Sequence, residues 1–323
     1  MKVVDEVATI EQIKLLIKSH YDRNDERFKT TVLQIAASEA KAGHTTQARE
    51  LKDLIDRIGK SVIVKLNTGN HLFDVSEPNV SLSDMILSST LTGKIDRIIL
   101  EYRQREKLRK YGLVNRRRIL IEGPSGTGKT MTASAIAGEL GLQILSVRMD
   151  KLISKFMGET SSKLREVFDM IEQQPGVYLF DEFDAIGADR TLDNEVGEMR
   201  RILNSFLQLI EGEMSDSIII AATNNNQMLD PALYRRFDDV LTYSLPNEEE
   251  LYKLFDNKLG AFFGRVNIED RVIRLAMGLS QAEISRICDE AIKLSILQGD
   301  SFSNDILQHI IEERSKAYQI REA

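Results

Sequence analysis

The stretch "GPSGTGKT", Gly123 to Thr130, follows the apolar run "RRILIE" at 117–122 and opens the helical pattern "KTMTASAIAGEL" at 129–140. It matches G-x-x-x-x-G-K-[ST] in the strand-before, helix-after setting that the motif needs. Glycines at 123, 126 and 128 let the backbone turn its N–H groups inward around phosphate oxygens. The helix that follows adds partial positive charge at its N-terminus. The predicted phosphate cradle is Gly123, Pro124, Ser125, Gly126, Thr127, Gly128, Lys129, Thr130 and Met131. Lys129 is expected on the β- and γ-phosphates of a nucleotide, and the Thr130 hydroxyl on Mg²⁺.

Outward from this loop, strand-sized apolar runs alternate with amphipathic stretches: "LQILSV" (142–147), "GVYLFD" (176–181), "SIIIAAT" (217–223) and "DVLTYSL" (239–245). That alternation predicts an α/β domain over 85–245, a parallel sheet flanked by helices. After Pro246 the strands stop. Four helical patterns follow, "NEEELYKLFDNKL", "DRVIRLAMGL", "QAEISRICDEAIKLSIL" and "FSNDILQHIIEERSKAY", and predict a small helical lid domain over 246–323. Upstream, apolar positions at helical spacing (Ile10, Ile13, Leu16, Ile17; Val32, Ile35, Ala36; Leu51, Leu54, Ile55) predict a helical N-terminal module over 1–59. The segment 60–84, with Asn-Gly and Pro punctuation, reads as a linker.

Three further stretches carry chemistry. "VYLFDEFD" (177–184) is an apolar strand ending in acids. Asp181 is placed to hold Mg²⁺ through water, and Glu182 to polarise an attacking water as general base. "SIIIAATNN" ends in Thr223, Asn224 and Asn225, where an amide can orient that water. "LDPALYRRFDD" (229–239) presents Arg235 and Arg236. A guanidinium stabilises the charge spread over a transferring phosphoryl group, and one supplied by a neighbour can raise the rate by about 10³–10⁵.

Taken in order, "GPSGTGKT", "LFDEFD", "AATNN", "LDPALYRRFDD" and "GLSQAEISRICDEA" resemble the AAA+ ATPases, in particular their protein-remodelling branch, over roughly 85–300. The resemblance implies ATP with Mg²⁺. It makes Lys129 and Thr130 the Walker A residues, Asp181 and Glu182 the Walker B pair, Asn224 the sensor-1 residue, and Arg235 and Arg236 the arginine fingers. It implies self-association into a ring, usually of six subunits, each finger acting on its neighbour's nucleotide. Within "SKFMGETSSKLREVF", Phe156, Met157 and Gly158 stand where the family places the aromatic–hydrophobic–glycine pore loop that grips a protein substrate. Two departures stand out. The family's two arginines are usually separated by Pro-Gly, whereas Arg235 and Arg236 are adjacent, which leaves open the one that reaches the phosphate. The sensor-2 position is taken by "SQAE" (280–283), and Arg286, one helical turn on, receives no role. The four histidines, His20, His44, His71 and His309, form no H-E-x-x-H zinc motif. "NDERFKTTVLQIAASEAKAGHTTQARELKDLID" with "GVYLFDEFDAIGADR" and "NEVGEMRRILNSFLQLIE" is similar to bacterial AAA ATPases encoded with a subtilisin-like serine protease in phage defence, implying such a protease as partner.

Composition sets outer bounds. The net charge of −7 disfavours nonspecific nucleic-acid binding by the whole surface. The local run Arg103, Arg105, Lys107, Arg109, Lys110, Arg116, Arg117 and Arg118 reads as a solvated helix face followed by charges at the start of a strand, with a subunit interface or nucleic-acid patch as alternatives. No apolar run reaches membrane-spanning length, and the acid-bearing start "MKVVDEVATIEQIK" does not read as a signal peptide, so a cytoplasmic protein without membrane association is expected. Cys288, the single cysteine, lies in a helical pattern and reads as a buried, inert thiol. The leading expectation is Mg-dependent ATP hydrolysis that remodels or threads a protein. Its alternatives are an ATP-gated assembly switch with slow hydrolysis, and a nucleic-acid remodeller.

Overall fold

The computed structural model describes residues 14–16, 18, 25–41, 44, 47–49, 51–52, 72–153, 159–187, 196–224, 231–298 and 302–322. The chain divides into two compact units, 1–69 and 70–323. In the first, the helix Asp25–Lys41 buries Val32, Ile35 and Ala36, the positions whose spacing predicts it. Ile10, Ile13, Ile17, Leu54 and Ile55 lie outside the described residues.

The second unit is built on a six-stranded sheet: β1 (Phe73–Ser76), β2 (Arg118–Glu122), β3 (Ile144–Val147), β4 (Val177–Phe180), β5 (Ile218–Thr223) and β6 (Asp239–Thr242), in the spatial order β1-β3-β4-β5-β2-β6. Strands β2 to β6 run parallel. At the far edge β1 runs antiparallel to β3, with Phe73 opposite Val147. The segment read as a linker over 60–84 therefore contributes a strand to the sheet. Only Phe73 of β1 is buried, so the strand is too short and too polar to announce itself against the Asn-Gly and Pro around it.

Ile119, Leu120 and Ile121 are fully buried, as a central parallel strand covered on both faces requires. On one face Ile119, Ile121, Leu179 and Ile220 pack against Ile95 and Ile98 of the helix Ser89–Arg103 and Ile136 of the helix Lys129–Leu140. On the other, Phe168 of the helix Glu159–Gln173 and Phe206 of the helix Val196–Gly212 meet edge to face at 5.7 Å, and Phe206 lies 4.8 Å from Phe183. The chain leaves β2 for β3, three places away, and returns through β4 and β5. The loop after β2 thus lies at the carboxyl end of the sheet where the strand order reverses, the usual place for a ligand crevice in such sheets.

The basic run 103–118 is consumed by acids brought from elsewhere in the chain. Arg103 pairs with Glu139 at 3.0 Å, Arg105 with Asp216 at 3.4 Å, Arg116 with Glu101 at 2.8 Å and Arg118 with Asp238 at 3.3 Å. Arg109 reaches both Glu106 and Asp216. Arg117 is buried against Glu213 at 2.9 Å, a residue itself fully buried. Lys107 and Lys110 alone of this run have no ion pair among the described residues, too few for a phosphate-binding patch.

The C-terminal helices Glu248–Phe263, Asp270–Ala276, Gln281–Gln298 and Asn304–Glu322 enclose a separate core of Phe255, Leu259, Ile273, Ile287, Leu307 and Ile310. Asn247 caps the first of them reciprocally with Glu250. Cys288 is fully buried in this core, and burial pushes its thiol up to about 12.

Two outcomes follow for stability and reactivity. Glu213→Leu strands the buried Arg117 guanidinium and is expected to cost about 3–5 kcal/mol in urea denaturation. Arg117→Met/Glu213→Leu, which removes both charges, should recover most of that loss. Alkylation of Cys288 at pH 8 should be undetectable in the native chain and rapid after unfolding, as followed by mass spectrometry.

Candidate functional site

The loop after β2 takes its shape from glycine. Gly123, Gly126 and Gly128 have φ of 144°, 75° and 96°, values that L side chains rarely adopt. Space forbids a side chain at two of them as well. A Cβ on Gly123 would lie 2.4 Å from the Tyr243 carbonyl oxygen, and one on Gly126 would lie 2.5 Å from Ser280 Oγ.

Lys129, the first residue of the following helix, is buried and turned back into the loop. Its ammonium donates to the carbonyls of Gly123 and Pro124 and to Asn224 Oδ1, each at 2.7 Å. An ammonium has three hydrogens, so these acceptors account for all of them. Burial lowers the affinity of Lys129 for its proton, and Asp181 and Asp184 work against that. Beside it the Thr130 hydroxyl donates to Asp181 Oδ2 at 2.6 Å. Asp181 Oδ1 accepts from the Glu182 backbone N–H at 2.9 Å. Glu182 is exposed and stands at φ 52°, in the left-handed region that a non-glycine residue rarely occupies.

Thr130, Asp181, Glu182 and Asn224 line one cavity of about 900 Å³ with Ser125 to Met131. The structure thus brings together the predicted residues of the loop, the acidic strand end and the amide. The opposite wall was legible in the sequence only at the "SQAE" turn. Met85, Ile86 and Leu87 approach from the segment before the helix Ser89–Arg103, Leu254 and Lys258 from the first lid helix, and Gln281, Ala282 and Arg286 from the third. The Ala282 N–H donates to the Gly126 carbonyl at 3.0 Å, fastening the lid to the loop. No spacing rule places Met85 to Leu87, Leu254 or Lys258; the apolar "MIL" beside a capped helix start at Ser88 is the nearest thing to a local signal.

Arg235 and Arg236 are not among the residues lining this cavity. Arg236 pairs with Glu211 at 2.7 Å, whereas Arg235 is exposed and has no ion pair among the described residues. Phe156, Met157, Gly158 and Asn225 lie outside the described residues.

Comparison with known proteins agrees with this architecture. The profile of the ATPase family associated with various cellular activities (AAA) matches residues 119–245, the span from β2 to the end of the sheet. An uncharacterised AAA family ATPase of Sinorhizobium fredii is 33% identical over 305 residues, covering 90% of this chain and 91% of that protein. The chain belongs to the AAA family of ATPases. Proteasome-activating nucleotidases are also similar. That of Sulfurisphaera tokodaii is 33% identical over 75% of this chain and 64% of its own length, and that of Methanopyrus kandleri 33% identical over 68% and 52%. The chain therefore spans between half and two thirds of these nucleotidases. ATP hydrolysis is the activity of the AAA domain, and nucleotide binding comes with it. No helix among the described residues is long and apolar enough to cross a membrane.

In this AAA domain Gly126→Ala should be doubly unfavourable. The left-handed φ alone costs about 1–2 kcal/mol, and the new methyl group displaces Ser280 and with it the lid. Calorimetric titration with ATP is expected to show at least tenfold weaker binding in a chain that still melts cooperatively.

Proposed function

We propose that this chain is one subunit of a ring-forming, Mg-dependent ATPase that remodels or threads a protein substrate, with a subtilisin-like serine protease as the partner it serves. The observation that carries this reading is the convergence of Lys129, Thr130, Asp181, Glu182 and Asn224 on one cleft, with an exposed Arg235 outside it. Lys129 binds the phosphates by giving up some of its loop acceptors. Thr130 and Asp181 suit Mg²⁺, because a hydroxyl and one carboxylate leave most of the shell to water and phosphate, as this ion prefers. When bound, the ion neutralises charge on the β- and γ-phosphate oxygens. Glu182 takes the proton of the attacking water, and the Asn224 amide orients that water.

Arg235 does not line its own cleft, which fits action on a neighbour's nucleotide. Arg236, tied to Glu211, anchors the short helix that presents it. Within a ring, Phe156, Met157 and Gly158 form the gripping loop, an aromatic that holds any polypeptide by apolar contact. The similarity to proteasome-activating nucleotidases supports delivery of protein to a protease, and the resemblance of the N-terminal segments narrows that protease to the subtilisin-like class with a defence role.

ATP turnover per subunit should climb with protein concentration. Glu182→Gln should lose about 10²–10⁴-fold in rate while still retaining bound ATP. A one-to-one mixture of Glu182→Gln with Arg235→Ala should turn over faster than the mean of the two alone. A concentration-independent rate would point instead to an ATP-gated switch. Absence of any ATP-dependent stimulation of a co-purified subtilisin-like protease would remove the partner from the proposal.

A further inference from the structure

Glu122 ends β2 immediately before the phosphate loop and is buried, an unusual place for a carboxylate directly after the apolar run Ile119 to Ile121. Its two oxygens are held from two different elements. Tyr234 Oη donates to Oε2 at 2.8 Å, and Thr242 Oγ1 donates to Oε1 at 2.8 Å. Thr242 closes β6, the neighbour of β2, so that hydrogen bond joins two strands of one rigid sheet. Tyr234 is different. It ends the short helix Pro231–Tyr234 and directly precedes Arg235, so its side chain ties the stem of that arginine to the base of the phosphate loop. Burial, and then the hydrogen bond to Glu122, push the Tyr234 hydroxyl up to about 12, so it remains a donor at any ordinary pH.

The loop side of this contact ends on the lysine that would meet a phosphate. Lys129 spends its hydrogens on the Gly123 and Pro124 carbonyls and on Asn224. A phosphate group taken up by Lys129 must draw at least one of them away. Gly123 is the residue next to Glu122. It cannot shift freely, because the Tyr243 carbonyl occupies the place its side chain would take and Tyr243 N–H donates to the Glu122 carbonyl at 2.7 Å. The Gly123 carbonyl thus joins Lys129 on one side to the backbone of Glu122 on the other, with Glu122 held between β6 and Tyr234.

We propose that Glu122 and Tyr234 form a relay through which nucleotide in a subunit's own cleft sets the position of its Arg235, and hence the rate at the neighbouring subunit. Tyr234 is a positioning residue in this scheme; it touches neither nucleotide. The relay rests on the reading of Arg235 as acting in trans, and it adds a direction to that reading, from the occupied cleft toward the next one around the ring. Coupling of this kind is established by a cycle of variants rather than by proximity.

The cycle uses two subunit types mixed above their assembly concentration. Acceptors carry Arg235→Ala/Arg236→Ala and an intact cleft. Donors keep both arginines and carry either Lys129→Ala, which excludes nucleotide, or Glu182→Gln, which retains it; neither donor hydrolyses ATP appreciably. Turnover in the mixture then arises in acceptor clefts beside a donor. The measured quantity is the acceptor rate with nucleotide-retaining donors divided by the rate with nucleotide-free donors. It is expected to be about fivefold or more, the lower end of typical allosteric couplings. Adding Tyr234→Phe to both donors should bring the ratio below about twofold, with ATP affinity of the donors unchanged and any loss of melting temperature, from leaving Glu122 Oε2 short of a donor, equal in the two donors. Any effect of donor occupancy on assembly alone is common to the Tyr and Phe series and leaves the ratio where it was, which overturns the relay. A ratio of one in the unmodified donors overturns it too. Absence of turnover in every mixture shows instead that the arginines do not act in trans, and both readings then fall together.

Discussion

A buried ammonium needs acceptors for all of its hydrogens, and much of the site is the means by which Lys129 gets them. Two come from carbonyls of its own loop, which can face inward because Gly123 adopts a backbone conformation closed to other residues. The third comes from Asn224, just beyond the end of β5 and ninety-five positions away in sequence. That acceptor is available because β5 pairs in register with β2, Thr223 opposite Glu122. The parallel sheet thus fixes the lysine, and the lysine holds the loop in the form a phosphate would meet. A charge that desolvation disfavours is retained for the same reason that makes it useful: it is already dehydrated where an anion would bind.

Much of this was legible in the sequence because its causes are local. The glycines at 123, 126 and 128 demand a turn wherever they occur, and continuous apolar runs such as "RRILIE" and "SIIIAAT" have no stable place except a sheet covered on both faces. The lid helices were equally plain from their spacing, and the motifs assigned Thr130 and Asp181 to one ion, although their direct hydrogen bond came only with the structure. What the sequence withheld depends on distant residues. The acids that neutralise Arg105, Arg116 and Arg118 come from separate elements, so a basic run that looked free is bound into the base of the sheet. Of the cleft's second wall, Gln281 and Ala282 lie in the quoted "SQAE" turn, whereas Met85 to Leu87, Leu254 and Lys258 belong to no motif, because any surface of suitable polarity can serve. The difference between Arg235 and its neighbour was hidden for the same reason: it lies in Glu211, on another helix.

The two cores of the larger unit have different duties. The sheet and its helices hold the groups that meet the phosphates, while the lid core of Phe255, Ile287 and Leu307 is complete in itself. The lid can therefore change its angle without exposing apolar surface of its own. Its hold on the phosphate loop is local and polar, the Ala282 N–H on the Gly126 carbonyl and Ser280 packed where a side chain at Gly126 would sit. Such contacts exchange for others at small net cost. A rigid catalytic floor under a roof held by replaceable bonds suits a cycle in which nucleotide enters, reacts and leaves.

The strand at the far edge of the sheet has a practical bearing on how the ATPase module can be handled. Ile144, Leu145 and Val147 of β3 are almost completely buried, and β1 occupies the ladder that β3 would otherwise offer to any other chain. A shortened protein beginning at Met85, where the family resemblance begins, would leave that ladder bare and its apolar residues open to pairing between molecules. The physical start of the module therefore lies before Leu72. The four residues Phe73–Ser76 act as a selvedge, the finished border that keeps a woven sheet from fraying into its neighbours.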